Sequence, residues 1–100
     1  MAYRSFEELV VWQEACDLAV EVYEMLRECA DFGLKNQMTR SAVSIASNIA
    51  EGAERNSAPD FIRFLHIAKG SAAELRTQSI IAARVGKLTQ EQADEIISAT

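Results

Sequence analysis

The sequence predicts an all-α protein, a helical bundle built from four helical segments, and three observations support this. Apolar residues recur at intervals of three and four along most of the chain, the spacing that places side chains on one face of a helix. Glycine and proline stand at the boundaries of these periodic segments, apart from one glycine in the third. The length of 100 residues is that of one domain, so we expect residues 1–100 to fold as a single unit.

The first segment covers about residues 5–29 and begins with Ser5 followed by Glu8, a pair that can form a capping box. One apolar seam along it consists of Leu9, Trp12, Cys16, Ala19, Tyr23 and Leu26. A second seam consists of Val11, Ala15, Leu18, Val22, Met25 and Cys29. Together they cover a wider arc than the about 100° that a helix on one side of a small bundle needs. The surplus predicts a second contact, either with another subunit or with a neighbouring helix of the same chain.

The second segment covers residues 34–52, after a break at Asp31, Phe32 and Gly33 in which glycine suits a turn. Beside its apolar face runs a polar stripe, which consists of Gln37, Arg40, Ser44, Asn48, Glu51 and Arg55. These six residues project within about 80° of one another. We interpret the polar stripe first as a hydrogen-bond ladder, between helices or between subunits, that fixes register, with Asn48 and Glu51 pointing inward. The alternative is a groove that binds a ligand or a nucleic-acid backbone.

The third segment covers residues 58–85, between a cap formed by Ser57 with Asp60 and a stop at Gly86. Gly70 lies in mid-helix, where glycine costs about 1 kcal/mol relative to alanine. That cost predicts the close approach of another backbone. The same segment carries a basic stripe, which consists of His66, Lys69, Arg76 and Arg84. Of the two stripes, the basic one is the better candidate for contact with a partner.

The fourth segment covers residues 90–99 and begins with a capping box of Thr89 and Gln92. Ala93, Ile96 and Ile97 form its apolar face, and the helical pattern continues to Thr100. Barely three turns fit into this stretch. The fourth helix is therefore expected to be short, or the chain ends before the helix's natural boundary.

The charge is unevenly distributed along the chain. The formal net charge is −5, which argues against non-specific binding to nucleic acid. Residues 1–31 carry a net charge of −6, residues 32–88 carry +4 and residues 89–100 carry −3. Opposite charges of this kind favour an arrangement in which the acidic first helix faces the basic third helix across a subunit boundary.

The inventory of reactive side chains predicts no catalytic residues, no metal site and no cofactor. The one histidine, His66, and the two cysteines offer no ligand cluster, and no nucleophile elbow or phosphate-binding glycine loop is present. Cys16 and Cys29 lie about 20 Å apart on one helix, too far for a disulfide, and are expected to be small buried residues. We expect no signal peptide and no membrane span, and therefore a cytoplasmic protein that is not an enzyme.

Three motifs carry a resemblance to a known family. The second helix reads Arg40-Ser-Ala-Val-Ser-Ile-Ala-Ser-Asn-Ile-Ala-Glu-Gly52. Leu9-x-x-Trp12-Gln13 precedes it, and Phe64-Leu65-x-Ile67-Ala68-x-Gly70-Ser71-x-x-Glu74-Leu75 follows it. Over roughly residues 6–88 the chain resembles the bacterial four-helix bundle proteins encoded in intervening sequences of 23S ribosomal RNA genes, also labelled ribosomal-protein-like.

The resemblance implies an up-down-up-down antiparallel four-helix bundle and a ring-like homopentamer. A related protein of diversity-generating retroelements shares this fold and assists a reverse transcriptase, contacting protein and RNA. No catalytic residues are implied.

Two functional hypotheses follow. The first is a non-catalytic, self-assembling scaffold or interaction module, a cyclic homo-oligomer and most simply a pentamer, that can hold another protein. The alternative is an RNA-binding accessory protein that acts with ribosomal RNA or a reverse transcriptase. Its contacts would be Lys69, Arg76 and Arg84 together with Arg40 and Arg55, although the acidic net charge disfavours a nucleic-acid partner. An enzyme is the least supported class.

Overall fold

A computed structural model describes residues 5–100, which form four α-helices arranged as a bundle. After a 3₁₀ turn at Phe6–Glu8, the helices are α1 (Val10–Met25), α2 (Phe32–Glu54), α3 (Ala58–Arg84) and α4 (Gln90–Ala99). Short connections make each helix antiparallel to the one before it. Among the described residues, α2 and α3 share the largest interface, and α1 lies beside α2 and α4 and diagonally opposite α3. The predicted four-helix bundle with a short fourth helix is confirmed.

The first helical segment is shorter than the sequence predicts, and its expected capping box does not form. The Ser5 hydroxyl accepts a hydrogen bond from the Glu7 backbone N–H at 3.1 Å and caps the 3₁₀ turn. Leu9 is extended, with φ −75° and ψ 123°, so α1 begins only at Val10. The ring of Phe6 packs edge-on against Trp12 with centroids 5.2 Å apart, which fixes the turn on α1.

The boundary between the first two helices is also displaced. The Asp31 carboxylate accepts a hydrogen bond from the Leu34 backbone N–H at 3.1 Å, so Asp31 is the N-cap of α2. Gly33 therefore lies in the first turn of α2, and the expected turn there is wrong. At the other end α2 continues to Glu54, two residues beyond Gly52.

The capping residues in the sequence predicted the starts of α3 and α4 correctly. The Ser57 hydroxyl accepts from the Asp60 N–H at 3.2 Å and starts α3, which ends at Arg84 before Gly86 with φ 78°. The capping box of Thr89 and Gln92 forms, each side chain accepting a hydrogen bond at 3.0 Å from the other residue's backbone N–H. Both ends were visible in the sequence because capping depends on residues within one turn.

The core runs along the inner faces of all four helices. Leu26, Met38, Leu75 and Ile96, one from each helical region, are fully buried in it. Beyond the end of α4 a cleft of about 250 Å³ remains between α1, α2 and α3, lined in part by Val11, Ile45 and Ala72. No helix within residues 5–100 is long and apolar enough to cross a membrane.

Close helix approach occurs at a different glycine from the one that the sequence indicated. A Cβ added to Gly70 would meet no atom within 4 Å, so the predicted close approach at that position is wrong within this chain. A Cβ added to Gly52 would lie 2.7 Å from the Cβ of Phe64. The backbones of α2 and α3 therefore approach each other closely at Gly52, where no side chain larger than hydrogen fits without movement.

Candidate interaction surfaces

The middle of the polar stripe faces α3. Ser44 and Asn48 are both half-buried. The hydroxyl of Ser44 forms a hydrogen bond of 2.9 Å with the hydroxyl of Ser71, which is itself buried on α3. The Asn48 side-chain amide donates to the Ser44 carbonyl oxygen at 2.8 Å and to its hydroxyl at 3.0 Å. These three residues form a small network that joins α2 to α3.

The ends of the polar stripe face solvent. Glu51 is exposed, so its expected inward orientation is wrong. Its carboxylate pairs with the Arg55 guanidinium at 2.9 Å, one turn along the same helix. The Arg55 guanidinium also lies 5.0 Å from the centre of the Phe64 ring. Gln37 and Arg40 are exposed at the other end. The stripe is thus divided into an inter-helix network and two solvated ends.

The basic stripe is exposed throughout, because its four residues lie on the side of α3 away from α2. Arg76 donates to the carbonyl oxygen of Ile97 at 3.5 Å, near the end of α4. Two large apolar residues share this surface with the basic side chains: Ile62 is 54% exposed and Ile80 is 42% exposed. The outward face of α3 therefore combines positive charge with apolar area.

An apolar groove lies between α1 and α2, and neither the polar stripe nor the basic stripe predicted it. Its volume is about 370 Å³, and its lining is Trp12, Cys16, Ala19, Val20, Val43, Ala46, Ser47 and Ala50. Val20 is 57% exposed, and Tyr23 beside it is 52% exposed. The signal for this groove was the surplus apolar arc of the first segment. Most of that arc packs against the core of the same chain, but Val11 and Tyr23 stay about half exposed.

The apolar groove continues into a polar depression of about 520 Å³ at the start of α2. Tyr23, Val43 and Ser47 belong to its lining, together with Asn36, Thr39, Arg40 and Ser44. One end of the polar stripe, at Arg40, therefore borders the apolar groove. The combined surface follows most of the length of α1.

Two acidic or weakly acidic groups have altered pKa values. Burial raises the pKa of the Cys16 thiol, and the neighbouring Asp17 carboxylate raises it further. Cys16 and Cys29 are both free and half-buried. A hydrogen bond to the Glu95 side chain raises the pKa of Glu21, and burial and the negative charge of Glu95 add to that effect. The raised pKa of the Cys16 thiol disfavours its reactive thiolate form. The hydrogen-bonded carboxyl groups of Glu21 and Glu95 join α1 to α4.

Within the part of the chain that the structure describes, no three His, Cys, Asp or Glu side chains converge on a point that could hold a metal ion. His66 stands on the exposed face of α3. The surfaces that stand out are the apolar groove and the outward face of α3, and exposed apolar area of this kind is typical of contact with another macromolecule.

Comparison with known proteins agrees with the helical architecture. The sequence matches the family described as 23S rRNA-intervening sequence protein over residues 7–100. The chain belongs to this family. A crystal structure of a protein of unknown function from the S23 ribosomal protein family of Bacteroides thetaiotaomicron VPI-5482 superimposes with a TM-score of 0.83. It is 32% identical in sequence, and the match covers 90% of this chain and 87% of that one. No curated protein matches the sequence.

Proposed function

We propose that this member of the 23S rRNA-intervening sequence proteins is a non-catalytic, self-assembling scaffold in the cytoplasm. It forms a cyclic homo-oligomer, with five subunits as the expected number, and holds a protein partner. The observation that carries the proposal is the apolar groove between α1 and α2. Val20 and Val43 in its lining stay 57% and 42% exposed, and contiguous exposed apolar area on a small protein is typical of an interaction surface.

Light scattering coupled to size-exclusion chromatography tests self-association directly. The chain mass is 11.1 kDa, and we expect a single species at a whole-number multiple of that mass at micromolar concentration. Native mass spectrometry then counts the subunits. A monomer across the micromolar range contradicts the proposal. Co-purification of the native protein, with and without ribonuclease, tests whether a protein partner is held independently of RNA.

The alternative function is that of an RNA-binding accessory protein, and one observation favours it. Four basic side chains of the outward face of α3 are all exposed, while the two acids of that helix, Asp60 and Glu74, project from other sides. Such a row can follow a phosphate backbone. The acidic net charge of −5 acts against it, so any binding must be local to that face.

Titration of labelled structured RNA at low salt tests this alternative. If the chain binds RNA through Lys69, Arg76 and Arg84 of α3 together with Arg40 and Arg55, the logarithm of the affinity should fall as the logarithm of the salt concentration rises, with a slope of about −4. The double variant Arg76→Gln and Arg84→Gln should weaken binding and reduce the slope. Arg63→Gln, on another side of the same helix, is the matched control. Absence of binding at low salt eliminates the RNA hypothesis.

A further inference from the structure

The rim of the apolar groove is acidic where α1 borders it. Glu14, Asp17, Glu21 and Glu24 are the only charged residues within α1. Asp17 and Glu24 are exposed and flank Val20 at three and four residues' distance, so they lie on the outer edge of the groove. An occupant of this groove therefore needs an apolar row to fill it and positive charges to meet its edge.

The outward face of α3 has this composition. At about 100° per residue, the members of this face project within about 80° of one another. They are Ile62, His66, Lys69, Ala73, Arg76, Ile80 and Arg84. Basic and apolar residues thus alternate along the helix. Between Ile62 and Ile80 the helix surface has a shallow depression, because Ala73 has a small side chain and Gly70 beside it has open space around it. A neighbouring helix can approach closely there.

The two surfaces cannot meet within one chain. The helices α1 and α3 lie at diagonal corners of the bundle, and among the described residues no Cα atom of one comes within 8 Å of a Cα atom of the other. The α3 face is not complementary to itself, since a two-fold axis through it would place its basic residues, such as Lys69 and Arg84, against basic residues of the second copy. The complementarity is between different faces, and such a contact is heterologous: each subunit donates one face and receives the other.

We propose that the outward face of α3 from one copy of this chain docks into the apolar groove between α1 and α2 of the next copy. This rests on the self-association proposed above and specifies its two faces. A specific interface buries about 800 Å² on each partner. That is about an eighth of the 6232 Å² surface of the described residues. Each subunit can therefore present both faces at once, and repetition of the contact closes a ring where the rotation permits.

Two single substitutions each disrupt one of the two surfaces of the proposed contact. Val20→Glu places a charge in the groove, and Ile80→Glu places one on the outward face of α3. Both side chains are partly exposed in the single chain, so the fold should be retained, and an unchanged helical circular dichroism spectrum verifies this. We expect each variant alone to be monomeric in light scattering. Ile81→Glu is the matched control: Ile81 is adjacent and 48% exposed but points about 100° away, so assembly should persist.

Mixing the two variants separates this pairing from other arrangements. The Val20→Glu chain keeps an intact α3 face, and the Ile80→Glu chain keeps an intact groove. An equimolar mixture should therefore form one intact contact per pair and stop at a heterodimer, twice the 11.1 kDa chain mass. Continued assembly of either variant alone, or a mixture that stays monomeric although the wild type assembles, overturns the pairing. A monomeric wild type instead overturns the self-association on which it rests.

Discussion

Gly52 and Gly70 are both helical glycines, and replacing each with alanine should change stability in opposite directions. Alanine gains about 1 kcal/mol over glycine in a helix at either site. At Gly70 the new Cβ meets nothing within 4 Å, so the gain is kept. At Gly52 the new Cβ lies 2.7 Å from the Cβ of Phe64 and 3.1 Å from Cδ1 of Phe61. Carbon atoms pack at about 3.5–4.0 Å, so α2 and α3 must separate by about 1 Å.

The size of the effect follows from these two terms. Overpacking of a core position costs about 1–3 kcal/mol, and the upper part of that range applies because the nearest atom, a Cβ, is fixed to the backbone. Offset by the helix propensity, Gly52→Ala should lower the free energy of unfolding by about 1–2 kcal/mol. For a domain of this size that lowers Tm by roughly 5–15 °C. Because the propensity gain is common to both variants, their difference isolates the packing cost.

Urea unfolding followed by circular dichroism measures both variants against the wild type. All three are compared at one low protein concentration at which the chain is monomeric, because self-association makes stability depend on concentration and would bring a second copy against Gly70. The slope with urea should be unchanged, so that a shifted midpoint reports stability alone. A Gly52→Ala protein as stable as Gly70→Ala would refute the reasoning, because it would mean that the two helices do not touch at Gly52.

Three further predictions concern hydrogen bonds between and at the ends of helices. Ser71→Ala removes the inter-helix partner of Ser44 and should lower the free energy of unfolding by about 0.5–1.5 kcal/mol. Thr89→Ala removes the cap of α4 and should cost about 1 kcal/mol, seen also as faster hydrogen exchange in α4. Glu21→Gln should stabilise the protein at neutral pH, because the glutamine can keep the hydrogen bond to Glu95 without a second negative charge.

The pH dependence of the last variant has a definite sign. The folded-state pKa of Glu21 is raised, chiefly by its hydrogen bond to Glu95, so the folded chain binds more protons than the unfolded chain between the ordinary and the raised value. Stability should therefore fall as the pH rises through that window, and Glu21→Gln should flatten the fall. Urea midpoints across the acidic range measure it. An unchanged dependence of stability on pH in Glu21→Gln would contradict the hydrogen bond between Glu21 and Glu95. Unaltered stability in Ser71→Ala or Thr89→Ala would contradict the Ser44–Ser71 hydrogen bond or the Thr89 cap.

The helix ends show which parts of the fold were readable in advance. The start of α3 at Ser57 and the start of α4 at Thr89 were predicted from capping residues, and the structure contains both caps. The start of α1 was misjudged because Phe6 packs on Trp12 and holds a separate 3₁₀ turn, a contact between side chains that capping rules do not include. The start of α2 was misjudged because Asp31 serves as a cap rather than as part of a turn.

The candidate surfaces, like the helix ends, were predicted only in part from the sequence. Periodicity identified the basic residues of α3 and the surplus apolar arc of α1, because both depend only on angles around one helix axis. It could not decide which part of the polar stripe turns inward: Ser44 and Asn48 do so because Ser71 stands opposite, whereas Glu51 meets solvent. That outcome depends on the neighbouring helix, which the angles do not describe.

By itself, the sequence determined the helical class, the number of helices, the core-facing seams and the caps of α3 and α4, since these depend on residues within a turn or two of one another. Only the tertiary structure decided that the helices touch at Gly52 rather than at Gly70, and that an apolar groove stays open between α1 and α2. The physical reason is that both outcomes depend on distances between helices, and those distances are set by the combined packing of side chains far apart in the chain.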